Sequence, residues 1–135
     1  MPQIERPALL EKLPEMLAFV TACARQYHLD GKKAQGLEIA AEEMLVNVCS
    51  HAYPDTVGTV TIRCRRVDDA RLILEIIDSG TPFNPLETPE PDLDLSLENR
   101  PVGGLGIFIA RQLTDEIRYE RKGRCNILTL AVSLK

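Results

Sequence analysis

Apolar residues recur at three- and four-residue steps in two stretches of the first fifty residues. Leu13, Met16, Leu17, Val20 and Ala24 predict a helix over Leu13 to Tyr27. Pro14 falls in its first turn, where proline is tolerated. Leu37, Ala40, Ala41, Met44, Leu45 and Val48 predict a longer helix over Lys32 to Ser50. Asp30 and Gly31 between them supply a turn, with Asp30 as N-cap candidate. Pro54 ends the second helix, because it cannot extend one and disfavours helix at the residue before it. The period then changes to two. Val60, Ile62 and Cys64 alternate with Thr61, Arg63 and Arg65, which predicts a strand over Thr59–Arg66. Arg71–Asp78 is more continuously apolar and reads as a central strand, paired with the first as a hairpin around Asp68-Asp69. Thr81 to Val102 holds five prolines (82, 85, 89, 91 and 101) and no firm period. It reads as a long loop, a length that in a compact domain is usually functional or mobile. A helix over Gly104 to Leu113 and a closing hairpin around Lys122-Gly123 complete the pattern. Segregated strands with few crossovers give an α+β class: a mixed or antiparallel sheet with helices on one face.

Composition narrows this only slightly. The 135 residues suit a single domain spanning 1–135, and 44% hydrophobic content supplies one core. A net charge of −4 argues against nucleic acid as the main partner, although Arg63, Arg65 and Arg66 are clustered. No run of about 18 apolar residues is present, and the first residues lack the pattern of a secretory leader. No membrane association and a cytoplasmic location are therefore expected. Cys23, Cys49, Cys64 and Cys125 form no C-x-x-C pair and sit within apolar patterns, as small buried hydrophobes in a reducing compartment.

Three segments contain candidate chemistry, and each has a plainer reading beside it. Glu43, Asn47 and His51 are four residues apart, hence on one helical stripe. A carboxylate one turn from an amide oxygen suits magnesium, which takes hard oxygen ligands and keeps waters. Glu43 would remain free to orient or deprotonate a hydroxyl. A solvated polar face explains the same stripe. Asp78 closes an apolar strand, where a carboxylate needs a partner; an adenine amine is one, and a simple turn is the other reading. Gly80 would permit close approach of a flat base or an unusual backbone angle. Gly103, Gly104 and Gly106 open a helix whose exposed amides attract anions, or form a hinge.

Taken together, Glu43-x-x-x-Asn47-x-x-x-His51-Ala52-Tyr53, then Asp78-x-Gly80-x-Pro82-Phe83, then Gly104-Leu105-Gly106 resemble the GHKL ATPases. The segments DSGTPFNP and GGLGIFIARQLTDE are most similar to the bacterial anti-sigma-factor serine/threonine kinases of that superfamily. The resemblance implies a two-layer α/β sandwich, the Bergerat ATP-binding fold. It implies Glu43 as catalytic base, Asn47 as magnesium ligand, Asp78 as acceptor of the adenine amine, and Gly80 beside the base. His51, Pro82, Phe83 and Leu105 belong to the same nucleotide-binding motifs. Gly104 and Gly106, helped by Gly103, would cradle phosphates under a lid over about residues 86–102, with Arg100 reaching a phosphate. Asn126 stands near a threonine that in relatives contacts the base through water, which leaves its role open. The resemblance further implies ATP and Mg2+, a STAS-domain antagonist phosphorylated on serine or threonine, and a sigma factor held inactive. The alternative is a nucleotide-dependent binding switch that transfers no phosphate. Relatives often begin with an extra strand; only Gln3–Arg6, flanked by Pro2 and Pro7, supplies one here. That leaves the sheet edge, and a homodimer built on it, open.

Overall fold

Alternation in the middle of the chain places the centre of the sheet. A computed structural model describes residues 2–87 and 104–134, the first three of the latter by backbone alone. Strands β2 (Thr59–Val67) and β3 (Arg71–Asp78) pair antiparallel, with Ile62 opposite Ile76 and Cys64 opposite Leu74. Their turn sets Asp68 and Asp69 at φ 52° and 57°, left-handed values that aspartate tolerates better than most residues and that tight hairpins require. β5 (Cys125–Ser133) lies on the other side of β3, and β4 (Glu116–Lys122) pairs with β5 across a turn at Gly123, φ 62°. The order is β1-β2-β3-β5-β4 with every pairing antiparallel, so the sheet is not mixed.

The edge strand β1 does form, over Gln3–Pro7, with Ile4 opposite Ile62. Proline is tolerated there because an edge strand leaves part of its backbone unpaired. Helices α1 (Leu13–Gln26), α2 (Gly31–His51) and α3 (Gly104–Leu113) accompany the sheet. Asp30 caps α2, its carboxylate accepting from the Lys33 amide at 2.9 Å. The helix ends at His51, with Ala52 as its C-cap, before Pro54. Met16 and Val20 of α1, Leu37, Met44 and Leu45 of α2, and Ile107 of α3 are buried with Ile62, Leu74, Ile76 and Leu130 of the sheet. The other face of the sheet mixes polar side chains with apolar ones such as Ile73, Ile77 and Ile127. Arg63 and Arg65 lie there, Arg65 near Glu75 at 3.8 Å, while Arg66 points to the opposite face and pairs with Asp69. The three arginines therefore do not make one basic patch. All four cysteines are free; Cys23 and Cys64 are buried, Cys49 and Cys125 half-buried. Among the described residues no helix is long and apolar enough to cross a membrane.

Candidate functional site

The end of β3 and the start of β5 lie together beside the last turns of α2, and the two residues facing each other there are polar. Asp78 and Asn126 are register partners, and both are 5% exposed. Two such groups in an apolar wall persist only if hydrogen-bonded. Asp78 Oδ1 accepts from the Gly80 amide and from Asn126 Nδ2, each at 2.8 Å. Asn126 Nδ2 also donates to the Thr81 carbonyl at 2.8 Å. Its Oδ1 accepts from the Tyr119 hydroxyl at 2.5 Å and from Arg121 Nη1 at 3.2 Å. Arg121 Nη1 also reaches the Gly80 carbonyl at 2.7 Å.

The loop after Asp78 is fastened to the end of α2. The Thr81 amide donates to the Ala52 carbonyl, and the Tyr53 hydroxyl accepts from the Ser79 amide while donating to the Thr59 carbonyl. Gly80 sits under Ala52 with no space for a side chain. This gives glycine at 80 a reason internal to the fold, beside the approach of a base expected from sequence.

The stripe on α2 is as expected, and its members differ in environment. Asn47 Nδ2 donates to the Glu43 carbonyl at 2.9 Å, which uses one of its two protons, and the Asn47 side chain also bonds the Glu43 carboxyl. Glu43 is half-buried, and burial pushes its carboxyl above the ordinary range; the Asn47 amide opposes this and the Glu42 charge adds to it. His51 is exposed and packs on Phe83, ring centroids 5.2 Å apart and tilted by 34°.

A narrow cleft of about 20 Å³ runs between these elements. Asn47, Asp78, Phe83 and Asn126 line it, over a floor that includes Met44 and Leu128. Of the other residues singled out in the sequence, Glu43 lies one turn before Asn47, and His51 reaches the cleft's border through Phe83. Gly80 and Pro82 face a shallower hollow outside, shared with Tyr53 and Arg121. The backbone of Gly104, Leu105 and Gly106 opens α3, as the glycine pattern implied. Arg100, Gly103 and residues 88–102 of the lid expected over about 86–102 lie outside the described residues. Tyr53 was part of the motif read from the sequence but was given no role, and Tyr119 and Arg121 were not anticipated. For the last two the signal was positional, since a hairpin around Gly123 sets Arg121 opposite Asn126 and Tyr119 opposite Leu128.

Among the described residues no three His, Cys, Asp or Glu side chains converge to hold a metal. The Asn47 amide oxygen beside Glu43, which accepts no hydrogen bond among the described residues, would suit a magnesium ion that brings its remaining ligands on phosphates and water.

An antiparallel sheet with helices packed against one face defines an α+β domain, and the polar pair sunk in an apolar cleft at its end is its candidate site. The histidine kinase-like ATPase domain family matches residues 6–132, and the chain belongs to that family. The serine/threonine-protein kinase BtrW of Bordetella bronchiseptica is 30% identical over 95 residues, covering 70% of this chain and 66% of that protein. The anti-sigma F factor of Clostridium acetobutylicum is 28% identical over 132 residues, 90% of this chain and 87% of that one. The serine-protein kinase RsbW of Bacillus mycoides is 31% identical over 88 residues, 62% of this chain but 54% of its own length. The match thus spans about half to two thirds of the two kinases named. In structure, the RsbU and RsbW domains of a Mycobacterium tuberculosis protein superpose with a TM-score of 0.69 at 17% identity, over 99% of this chain and 32% of that one. That likeness concerns the fold.

Proposed function

We propose that this chain binds ATP with magnesium and transfers the γ-phosphoryl group to a serine or threonine of a STAS-domain antagonist, and that in the alternative state it holds a sigma factor. The observation that carries the reading is Asp78. Its Oδ1 is filled by Gly80 and Asn126, while among the described residues Oδ2 has no hydrogen bond and the side chain lines an apolar cleft. That arrangement is an acceptor awaiting a donor on a flat apolar ligand, which the 6-amino group of adenine supplies. The cleft volume of about 20 Å³ holds one water, so a purine enters when the exposed Phe83 side moves outward.

Asn47 Oδ1 would hold magnesium, which when bound neutralises charge on the phosphates. Glu43, with its carboxyl raised by burial, would orient the acceptor hydroxyl and take its proton as the new P–O bond forms and ADP leaves. The amides opening α3 suit the phosphates. The names of the relatives support the kinase and anti-sigma roles. A homodimer through β1, and a cytoplasmic location, belong to the same reading.

Calorimetric titration with ATP, with and without magnesium, tests the pocket. Asp78→Asn should weaken binding by about 1–3 kcal/mol, because a donor then faces the amine. Asn47→Ala should remove the magnesium dependence. Glu43→Ala should bind ATP and transfer no phosphate to a STAS protein. Absence of ATP binding by the wild type sinks the reading. Binding without transfer by the wild type replaces it with the nucleotide-dependent switch.

A further inference from the structure

We infer that Asn126, Tyr119 and Arg121 are positioning residues that lock Asp78 as an acceptor and so set the preference for a 6-amino purine; this rests on the nucleotide-binding reading above.

The argument begins with what each group can donate. An arginine guanidinium has no acceptor, and a backbone carbonyl has no donor. Arg121 Nη1 stands on one side of the Asn126 amide at 3.2 Å, and the Thr81 carbonyl on the other at 2.8 Å. Oδ1 must therefore face Arg121 and Nδ2 must face Thr81; the flipped amide would meet a donor with a donor and an acceptor with an acceptor. Tyr119 adds a second donor to Oδ1 at 2.5 Å. With its orientation fixed from both sides, Nδ2 has its second proton directed at Asp78 Oδ1, 2.8 Å away.

Two consequences follow. Asn126 has both Nδ2 protons donated and two donors on Oδ1, so it holds Asp78 and has no Nδ2 proton left for a ligand. The Asp78 carboxylate is pinned by Gly80 and Asn126 through one oxygen, which aims the other at a single direction. An acceptor in that direction welcomes an amino group and repels a carbonyl. Loosening the network lets Asp78 turn and tolerate a 6-oxo purine.

The test compares the dissociation constants of ATP and inosine triphosphate, which carries a carbonyl in place of the amine. Wild type should favour ATP by tenfold or more. Tyr119→Phe should cut that ratio about two- to tenfold, the range of one neutral hydrogen bond, and Arg121→Met, which removes a charged donor, by about tenfold or more. Arg121→Lys, which keeps a donor, should retain most of it. Circular dichroism confirms folding, and Tyr119→Phe is the mildest change should Asn126→Leu not fold. A purely structural network would lower the melting temperature, or weaken both nucleotides equally, with the ratio unchanged; either result overturns the proposal. Loss of preference confined to Asn126→Leu would make Asn126 a direct contact and also overturns it. In nucleotide-free wild type, NMR should show slow solvent exchange for both Asn126 side-chain protons, and fast exchange overturns the proposal independently of binding. Failure of the wild type to bind ATP, with those protons still protected, would instead remove the nucleotide reading and with it the preference.

Discussion

A Cβ added to Gly80 would lie 2.1 Å from the carbonyl oxygen of Ala52 and 2.6 Å from its carbonyl carbon. Both contacts are with backbone at the end of α2, which cannot rotate aside. The Thr81 amide bonds that same Ala52 oxygen at 2.8 Å, so helix and loop are joined at one point.

Gly80→Ala should therefore push the loop away from α2. Overpacking of this kind costs about 1–3 kcal/mol. Because the Gly80 amide is one of two donors to Asp78, nucleotide affinity should fall together with stability. Thermal unfolding and ATP titration of the variant check this; an unchanged melting temperature would show that Ala52 yields and that the contact is not rigid.

Tyr53 makes the other joint. Its hydroxyl accepts from the Ser79 amide at 2.7 Å and donates to the Thr59 carbonyl at 2.6 Å, tying the end of β3 to the start of β2. Tyr53→Phe keeps the ring and removes both bonds. The expected loss is about 1–2 kcal/mol in urea unfolding, since a backbone donor is left without its partner. A loss below about 0.3 kcal/mol would mean that water replaces the hydroxyl at both ends.

Much of this site was legible because its chemistry coincides with periodicity. Glu43 and Asn47 announce themselves by their spacing on an amphipathic helix, and Asp78 by closing an apolar strand. Tyr119 and Arg121 do not. In sequence they are ordinary members of a charged edge strand, and their role appears only when pairing sets them across from Leu128 and Asn126. Gln3–Pro7 is similar: its partner is more than fifty residues away, and flanking prolines speak against a strand until an edge position absorbs them. For β4 the register follows from the turn at Gly123, but what Arg121 and Tyr119 meet also depends on β5 pairing with β3, which no local pattern encodes.

The cysteines offer a check on packing that needs no ligand. Cys23 of α1 and Cys64 of β2 are buried, and a hydrogen bond donated by the Cys64 thiol to Cys23, together with burial, pushes the Cys64 thiol up. Half-buried Cys49 is raised by burial alone. Cys125, half-buried at the start of β5, touches the Ser79 hydroxyl at 3.7 Å. Under native conditions iodoacetamide should therefore modify Cys125 first and Cys49 more slowly, while Cys23 and Cys64 react only on global unfolding. Mass spectrometry of the time course reads the order. Early modification of Cys64 would contradict the packing of α1 on β2.

Glu43 links stability to the proposed chemistry. Burial raises its carboxyl above the 4.5 of a free glutamate, with Asn47 opposing. The folded chain then holds this proton more tightly than the unfolded chain does. The associated stabilisation is present in full below about pH 4.5 and is lost as pH rises through the folded value. At neutral pH the ionised side chain is a burden on the fold. Glu43→Gln removes the charge at nearly constant shape, so the variant should melt higher than wild type at pH 7. The gap should narrow on acidification and close below about pH 4.5, because wild-type Glu43 is then neutral as well. Other titrating groups act on both proteins and cancel in the difference. Melting curves of the pair between about pH 3.5 and 8 measure it, and phosphotransfer to a STAS protein should be lost in the same variant while ATP binding persists. A pH-independent gap, or a wild type that is the more stable protein at pH 7, would remove burial as the cause of the raised carboxyl and with it the physical argument for Glu43 as base.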